Sequence, residues 1–128
     1  ASQERDLALL REYAESMGSK AESIDSERRK YLHLAAVFCC NFVNHLYGIT
    51  ADILAEHDIP FSAMLPLIHE TADKVEQLSP HDAQTGPAVR WDEEVMAQQM
   101  ALLNDEQAQL YQLLSKSIHN DKLRPEKD

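Results

Sequence analysis

The chain has 128 residues, of which 44% are hydrophobic and 27% are charged, so its length fits one domain and its composition excludes wholesale disorder and fibrous repeats. Its formal net charge is −10, and an acidic surface of this size repels phosphate backbones and anionic lipid headgroups. We therefore expect no nucleic-acid partner and no membrane partner.

Residues 1–24 predict a short amphipathic helix over 6–17, followed by a linker or one edge strand. Apolar residues recur at helical spacing up to Gly18, which stands where a C-terminal cap would lie. No basic segment followed by an apolar one begins the chain, so we expect no signal peptide.

A proline-free run begins after Asp25 or Ser26, either of which can cap a helix, and continues to residue 59. This run predicts one long helix of about 45 Å. It is apolar around most of its circumference, so we expect a central helix packed on several sides, with Phe38 and Phe42 in the core. The polar side chains that interrupt this apolar run argue against a membrane span. A chain of this length offers few other helices to cover it, so we expect a homodimer.

A narrow polar stripe runs along this predicted helix. On an ideal α-helix, with His33 at zero and about 100° per residue, Asn44 lies at about 20°, Asn41 at about 80°, Asp52 at about 100° and His45 at about 120°. A histidine can donate or accept a proton, and an asparagine can orient a carbonyl or carboxamide group. The stripe therefore predicts either a site containing His33 and Asn41 or a face that meets only solvent.

Cys39 and Cys40 are neighbours in this apolar run. Adjacent helical side chains diverge by about 100° and cannot form a disulfide, so we expect buried, reduced thiols and a cytoplasmic protein. Their apolar surroundings argue against a nucleophilic role. The chain contains no HExxH, CxxC or Glu-x-x-His motif, so we expect no metal site.

Pro60 ends the long helix, and residues 61–78 predict the next one, with Ser62 as its cap and Pro66 in its first turn. Residues 79–87 combine proline, glycine and small polar side chains, which predicts a loop.

Two further caps complete the predicted fold. Asp92 caps a helix that runs to Leu103, and Asn104 or Asp105 caps a last helix that runs to about His119. The charged residues 121–128 predict a frayed tail. The predicted fold class is all-α, with about five helices around one long central helix.

The loop supplies a second candidate site. Gly86 allows close backbone approach, Pro87 fixes the turn after Thr85, and Arg90 could bind a substrate carboxylate through its forked guanidinium group. The alternative is a rigid loop in which Asp92 caps the next helix and pairs with Arg90. The three glycines of the chain are too scattered for a GxGxxG turn or a phosphate loop, so we expect this chain alone to bind no dinucleotide.

Read together, YLHLAAVFCCNFVNHL (31–46) and TGPAVRWD (85–92) resemble the helical C-terminal domain of an uncharacterised family that carries a Rossmann-like NADP-binding domain in front of it. The resemblance runs from Leu7 to His119, and Trp91 stands where glycine is frequent in that family. The family's pattern is matched by His33, Cys40, Asn41, Thr85, Gly86, Pro87, Arg90 and Asp92.

The resemblance implies a fold similar to the 6-phosphogluconate dehydrogenase C-terminal-like helical domain. It also implies a relationship to pyrroline-5-carboxylate reductases and ketopantoate reductases, in which such a domain supplies the dimer contact and one wall of the substrate cleft. Residues 1–24 would then correspond to the last helix and strand of a preceding nucleotide-binding domain, residues 25–120 to the helical domain and residues 121–128 to a disordered tail. The chain would be part of a longer protein.

The function that the resemblance implies is the dimerisation and substrate-cleft domain of an NADP-dependent oxidoreductase that acts on a small molecule. His33 would donate or accept a proton and Asn41 would orient the substrate. Further substrate contacts would come from Asn44, Thr85, Gly86, Pro87, Arg90 and Asp92. NADP would be held by the preceding domain. The alternative is a helical interaction or dimerisation module without catalytic activity.

Overall fold

The computed structural model describes residues 25–124, and every regular element within them is helical, which confirms the all-α class. The chain divides into two compact units, residues 1–63 and 64–128. The helix predicted over 6–17, the linker or strand after it and the end of the charged tail lie outside the described residues.

The first unit contains the predicted long helix. It consists of α1 (Ser26–Ala36), a π-helical segment (Val37–Phe42) and α2 (Val43–Ala55). The side chain of Asp25 accepts a hydrogen bond of 2.9 Å from the backbone N–H of Arg28, which confirms the cap. The helix ends at Ala55 and not at residue 59, because the chain turns through a left-handed Asp58 (φ 56°) before Pro60.

The apolar sides of this long helix are not covered by the described part of the first unit. None of its residues is buried, and Phe38 and Phe42 are 61% and 50% exposed. The expectation that these two rings lie in the core of the chain is therefore wrong for this unit. Near the end of the helix, Tyr47 meets Phe61 edge-on, with ring centroids 6.4 Å apart.

The next helix begins later than predicted. A 3₁₀ turn (Phe61–Met64) precedes α3 (Leu65–Lys74), so Ser62 lies inside that turn and the cap predicted for it is wrong. Pro66 does occupy the first turn of α3, where its missing N–H is tolerated. After Lys74 the chain continues in turns, so the helix does not reach residue 78.

The described part of the second unit, residues 64–124, carries four helices after α3. They are α4 (Pro80–Ala83), α5 (Pro87–Arg90), α6 (Glu93–Met100) and α7 (Asp105–Lys122). The segment 79–87 is thus not entirely a loop, because the Ser79 hydroxyl accepts a hydrogen bond of 3.2 Å from the N–H of Asp82 and starts one helical turn. The predicted caps Asp92 and Asn104 are both confirmed, and Asn104 forms a reciprocal capping box with Gln107.

The core of the second unit lies where α5 packs on α7 and α6. Its buried residues are Ala88 of α5, Met96 of α6 and Ser115 of α7. Ala88 and Ser115 are small, so the short helix α5 can lie close to α7. This packing positions the segment 85–92, which contains the second candidate site.

Candidate substrate site

The π-helical segment changes which side chains of the long helix share a face. A π-helical turn takes about one residue more than an α-helical turn, so the segment turns everything after it back by about 100°. His33, Asn41, His45 and Asp52 then lie within about 20° of one line, which we call the polar row. Asn44 moves to about 90° from this line.

All four side chains of the polar row are exposed, and none makes a hydrogen bond or ion pair within the described residues. The row combines two imidazoles, one carboxamide and one carboxylate, so it could bind a polar ligand and exchange protons with it. His33 and Asn41, the two residues predicted as catalytic, are both members.

An exposed apolar face lies about 90° around the helix from the polar row. It consists of Leu34, Phe38, Phe42 and Leu46, and the rings of Phe38 and Phe42 meet edge to face with centroids 4.9 Å apart. These four residues are spaced by four, and on a straight α-helix such a series would drift by about 40° at each step. The π-helical segment removes most of that drift.

Ideal α-helical geometry places Asn41, Asp52 and His45 about 80°, 100° and 120° from His33, so the π-helical segment brings all three closer to its line. Ideal α-helical geometry also places Asn44 beside His33, whereas the π-helical segment moves Asn44 away from that position. The four-residue spacing of the apolar face is the signal in the sequence that indicates a wider turn, because it fits one face only if the helix is locally underwound.

Cys39 and Cys40 lie within the π-helical segment. They are not joined by a disulfide, as predicted, and their sulfur atoms are 3.7 Å apart. Both are exposed, so the expectation that they are buried in the core is wrong for this unit. The helix leaves them exposed because no described neighbour covers its apolar sides.

In the second unit, the segment TGPAVRWD forms one helical turn between two unusual backbone conformations. Gly86 has φ 110° and ψ 176°, a region that is essentially restricted to glycine, and Pro87 starts α5. Trp91 ends the turn in the left-handed conformation, with φ 50° and ψ 54°. Two backbone bonds close it, from Trp91 N–H to the Ala88 carbonyl (3.2 Å) and from Asp92 N–H to the Pro87 carbonyl (3.0 Å).

The polar side chains of this segment have different partners. The Asp92 carboxylate accepts a hydrogen bond of 3.4 Å from the N–H of Val95 and so serves as the cap of α6. Arg90 is exposed and forms no ion pair within residues 25–124, so the alternative pairing with Asp92 is not found there. Thr85 is also exposed. The guanidinium group of Arg90 is therefore available to an anion.

The ring of Trp91 packs against His119 of α7, with centroids 5.1 Å apart and planes 41° from parallel. The Nδ1 atom of His119 is buried and has no hydrogen-bond partner in the described part of the chain. Sequence reasoning missed this pair, since a contact between two helices far apart in the chain leaves no periodic signal.

A cavity of about 680 Å³ lies beside α7 in the same unit. His81 and Asp121, which both line it, share a hydrogen bond between Nδ1 and a carboxylate oxygen, and Arg124 approaches Asp121 at 3.7 Å. Arg90 and residues 85–88 do not line this cavity. Among the described residues no group of three or more His, Cys, Asp or Glu side chains could hold a metal ion.

The predicted site residues fall into two sets. His33, Asn41 and Asn44 belong to the first unit, and Thr85, Gly86, Pro87, Arg90 and Asp92 belong to the second. Within the first set the structure brings His33 and Asn41 onto one face, and within the second it gathers all five residues around α5.

By length and composition alone, the long helix could also cross a membrane. It has 30 residues, and the mean hydropathy of its most apolar window is 1.3. The central helix of a soluble protein passes the same test, so this property is weak support for a membrane span. The polar row, which includes Asn41 and His45 near the middle of the helix, would be costly in hydrocarbon.

These observations define an all-helical domain in which the predicted site residues His33, Asn41, Asn44, Thr85 and Arg90 are exposed. The family model described as "Domain of unknown function (DUF2520)" matches residues 1–118, and the chain belongs to this family. The resemblance predicted from the two motifs is thereby confirmed.

One solved structure extends this result. It is the crystal structure of a protein from Bacteroides fragilis described as a "putative NADP oxidoreductase", which is 55% identical to this chain with a TM-score of 0.73. The match covers 75% of this chain and 38% of that protein, so the chain spans little more than a third of its relative. No curated protein matches the sequence closely enough to count as a relative.

Proposed function

We propose that this chain is the substrate-binding and dimerisation part of an NADP-dependent oxidoreductase. The identity of 55% to the protein from Bacteroides fragilis carries this proposal, because a segment this similar in sequence shares its fold with that protein. The segment matched in that protein is a minor part of it, which leaves room for a nucleotide-binding domain in the remainder. Residues 25–124 contain no glycine-rich turn for a pyrophosphate, so this part of the chain does not fit the dinucleotide.

In this proposal charge develops on an oxygen or nitrogen atom of the substrate during the reaction. His33 donates a proton to that atom or accepts one from it. Asn41 lies on the same face and orients a carbonyl or carboxylate group with its carboxamide. Both side chains are exposed and make no hydrogen bond within residues 25–124, so a ligand need not displace an internal partner. Asn44 lies farther from their line and would contact the edge of the same substrate.

The second set of residues contributes charge. Arg90 has no anionic partner among the described residues, and its guanidinium group can bind a carboxylate through two parallel hydrogen bonds. The substrate class that fits is therefore a small carboxylic acid with a reducible carbonyl or imine group. The loop from Thr85 to Pro87 would contact the carboxylate that Arg90 binds, and Asp92 would keep the loop in place through its cap.

The exposed apolar face fits a second copy of this chain. Burial of aromatic side chains is strongly favourable, and a symmetric contact would bring the same face of two long helices together. The proposed protein is therefore a homodimer. We also propose a cytoplasmic location, as expected from the adjacent cysteines in the sequence.

The isolated chain should not bind NADPH. Titration calorimetry of the 128 residues with NADPH is expected to give no heat of binding, whereas a longer product that includes the region encoded upstream of Ala1 should bind with micromolar affinity or better. Binding by the isolated chain would contradict the proposal that the preceding domain, and not this chain, holds NADP. No binding by the longer product would favour a non-catalytic interaction module.

His33→Gln in the longer product should lower kcat by about 100-fold or more, since general acid–base catalysis commonly contributes that much. The measurement is NADPH oxidation with a panel of small keto and imino acids. His57→Gln is the matched control, because His57 is also exposed in the first unit but lies outside the polar row. Equal loss in both variants, or no loss in either, would exclude the proposed role of His33.

His33→Gln should also leave the thermal midpoint of the isolated chain nearly unchanged, as an exposed substitution does. A large drop would mean that the imidazole supports the fold.

A further inference from the structure

We propose that His119 is a positioning residue for the candidate substrate loop: its ring holds Trp91 in the left-handed conformation and thereby fixes the direction of Arg90. The role of Arg90 rests on the proposed function. The contact between the rings of Trp91 and His119, which we call the clamp, does not rest on it.

The backbone of Trp91 requires support from its surroundings. Its φ of 50° lies in the left-handed region, where the Cβ atom of an L-residue crowds the backbone and glycine is favoured. Such a conformation in a bulky residue persists only when neighbouring structure holds it. Two backbone hydrogen bonds close the turn, and contacts of the Trp91 side chain can offset a further part of the unfavourable backbone conformation.

The contact with His119 is suited to supply that support. The two rings lie 5.1 Å apart, within the range of favourable aromatic pairs, and Trp91 is half-buried. One turn before His119, the buried Ser115 leaves room for α5, whose Ala88 is also buried. This close approach of α5 to α7 brings the Trp91 ring over His119.

The ring of His119, and not its hydrogen bonding, is the property that matters. Its Nδ1 atom is buried and makes no hydrogen bond within the described residues, so this atom loses hydration without gaining a partner. A phenylalanine ring at this position would keep the contact and remove that cost. The proposal therefore predicts that phenylalanine replaces His119 well and alanine replaces it poorly.

Arg90 depends on the clamp because it directly precedes Trp91. The last turn of α5 is closed by the backbone bonds of Trp91 and Asp92, and a loosened Trp91 would release both. An exposed arginine on a released turn samples many directions, which weakens its binding of an anion. His119 would thus act on the ligand only through the loop.

Trp91 is the only tryptophan of the chain, so its fluorescence reports on this loop directly. In the full 128-residue chain, His119→Ala should shift the emission to longer wavelength, increase quenching by acrylamide and lower Tm by about 5 °C or more. His119→Phe should keep the wild-type emission and a Tm at or above that of the wild type.

A double-mutant cycle of His119→Ala and Trp91→Gly, in which Tm is measured by thermal unfolding, distinguishes the clamp from a general effect of His119 on packing. Glycine adopts the left-handed conformation without strain, so His119→Ala should lower Tm much less in the Trp91→Gly background than in the wild type. An equal effect in both backgrounds, or unchanged emission and Tm in His119→Ala, would overturn the proposal.

Oxalate serves as a probe for the effect on Arg90. His119→Ala should weaken oxalate binding at least fivefold by calorimetry, and His119→Phe should restore it. Arg90→Gln is the reference variant in which binding should be lost. If Arg90→Gln binds oxalate as well as the wild type, the proposed role of Arg90 fails, while the Tm coupling between Trp91 and His119 still tests the clamp. If binding depends on Arg90 but not on His119, the positioning role is excluded.

Discussion

Phe42→Glu should convert a dimer of this chain into a monomer. Phe42 lies in the middle of the exposed apolar face, and a symmetric contact would bury it twice. Burial of one phenylalanine is worth about 1.5–3 kcal/mol, so two copies contribute about 3–6 kcal/mol, and a buried carboxylate adds a further penalty. The dissociation constant should rise about 100-fold or more. Light scattering at micromolar concentration in 0.15 M salt should give twice the monomer mass for the wild type and the monomer mass for the variant.

Leu102→Glu is the matched control, because Leu102 is a strongly exposed apolar residue outside the apolar face. It should leave the measured mass at that of the dimer. A wild-type chain that is monomeric, or a Phe42→Glu variant that stays dimeric, would contradict dimerisation through this face. Co-sedimentation of the wild type with lipid vesicles would instead indicate that the long helix enters a membrane.

Gly86→Ala should destabilise the chain by about 1–3 kcal/mol, which is the usual cost of holding a side chain in a backbone region reserved for glycine. The φ of 110° at Gly86 is the cause, because an added Cβ atom would meet no heavy atom within 4 Å. Urea unfolding followed by circular dichroism measures the change. The loop should also lose its order first, since Gly86 precedes the first residue of α5.

Gly48→Ala is the matched control for this prediction. Gly48 lies inside α2, where an added Cβ atom would also meet nothing within 4 Å. Alanine has the higher helix propensity, so this variant should be stabilised by about 0.5–1 kcal/mol. Destabilisation of both variants by similar amounts would show that the conformation of Gly86 is not the cause.

The helix boundaries that depend on neighbouring residues could be predicted from the sequence. The side chains of Asp25, Asp92 and Asn104 each accept a hydrogen bond from the backbone N–H three residues ahead. Each cap therefore depends on only four consecutive residues. The position of Pro66 in a first turn is equally local. Ser62 failed as a cap because the 3₁₀ turn that contains it competes with the α-helix, and the two have similar local signals.

The candidate site was predicted in its residue types but not in its arrangement. The motif residues His33, Asn41 and Arg90 are exposed polar side chains, as a site requires. The grouping of His33 with His45 depends on the π-helical segment, whose wider turn is indicated only indirectly, by the four-residue spacing of the apolar face.

The helical class, the caps at Asp25, Asp92 and Asn104 and the glycine turn at Gly86 could thus be predicted, because each depends on forces that act within a few residues. The contact of Trp91 with His119 and the exposure of Phe38 and Phe42 follow from the packing of the helices and could not be predicted. Both outcomes depend on which helix faces meet. Hydrophobic burial is non-directional, so the sequence of an apolar face indicates that the face must be covered but does not identify the surface that covers it.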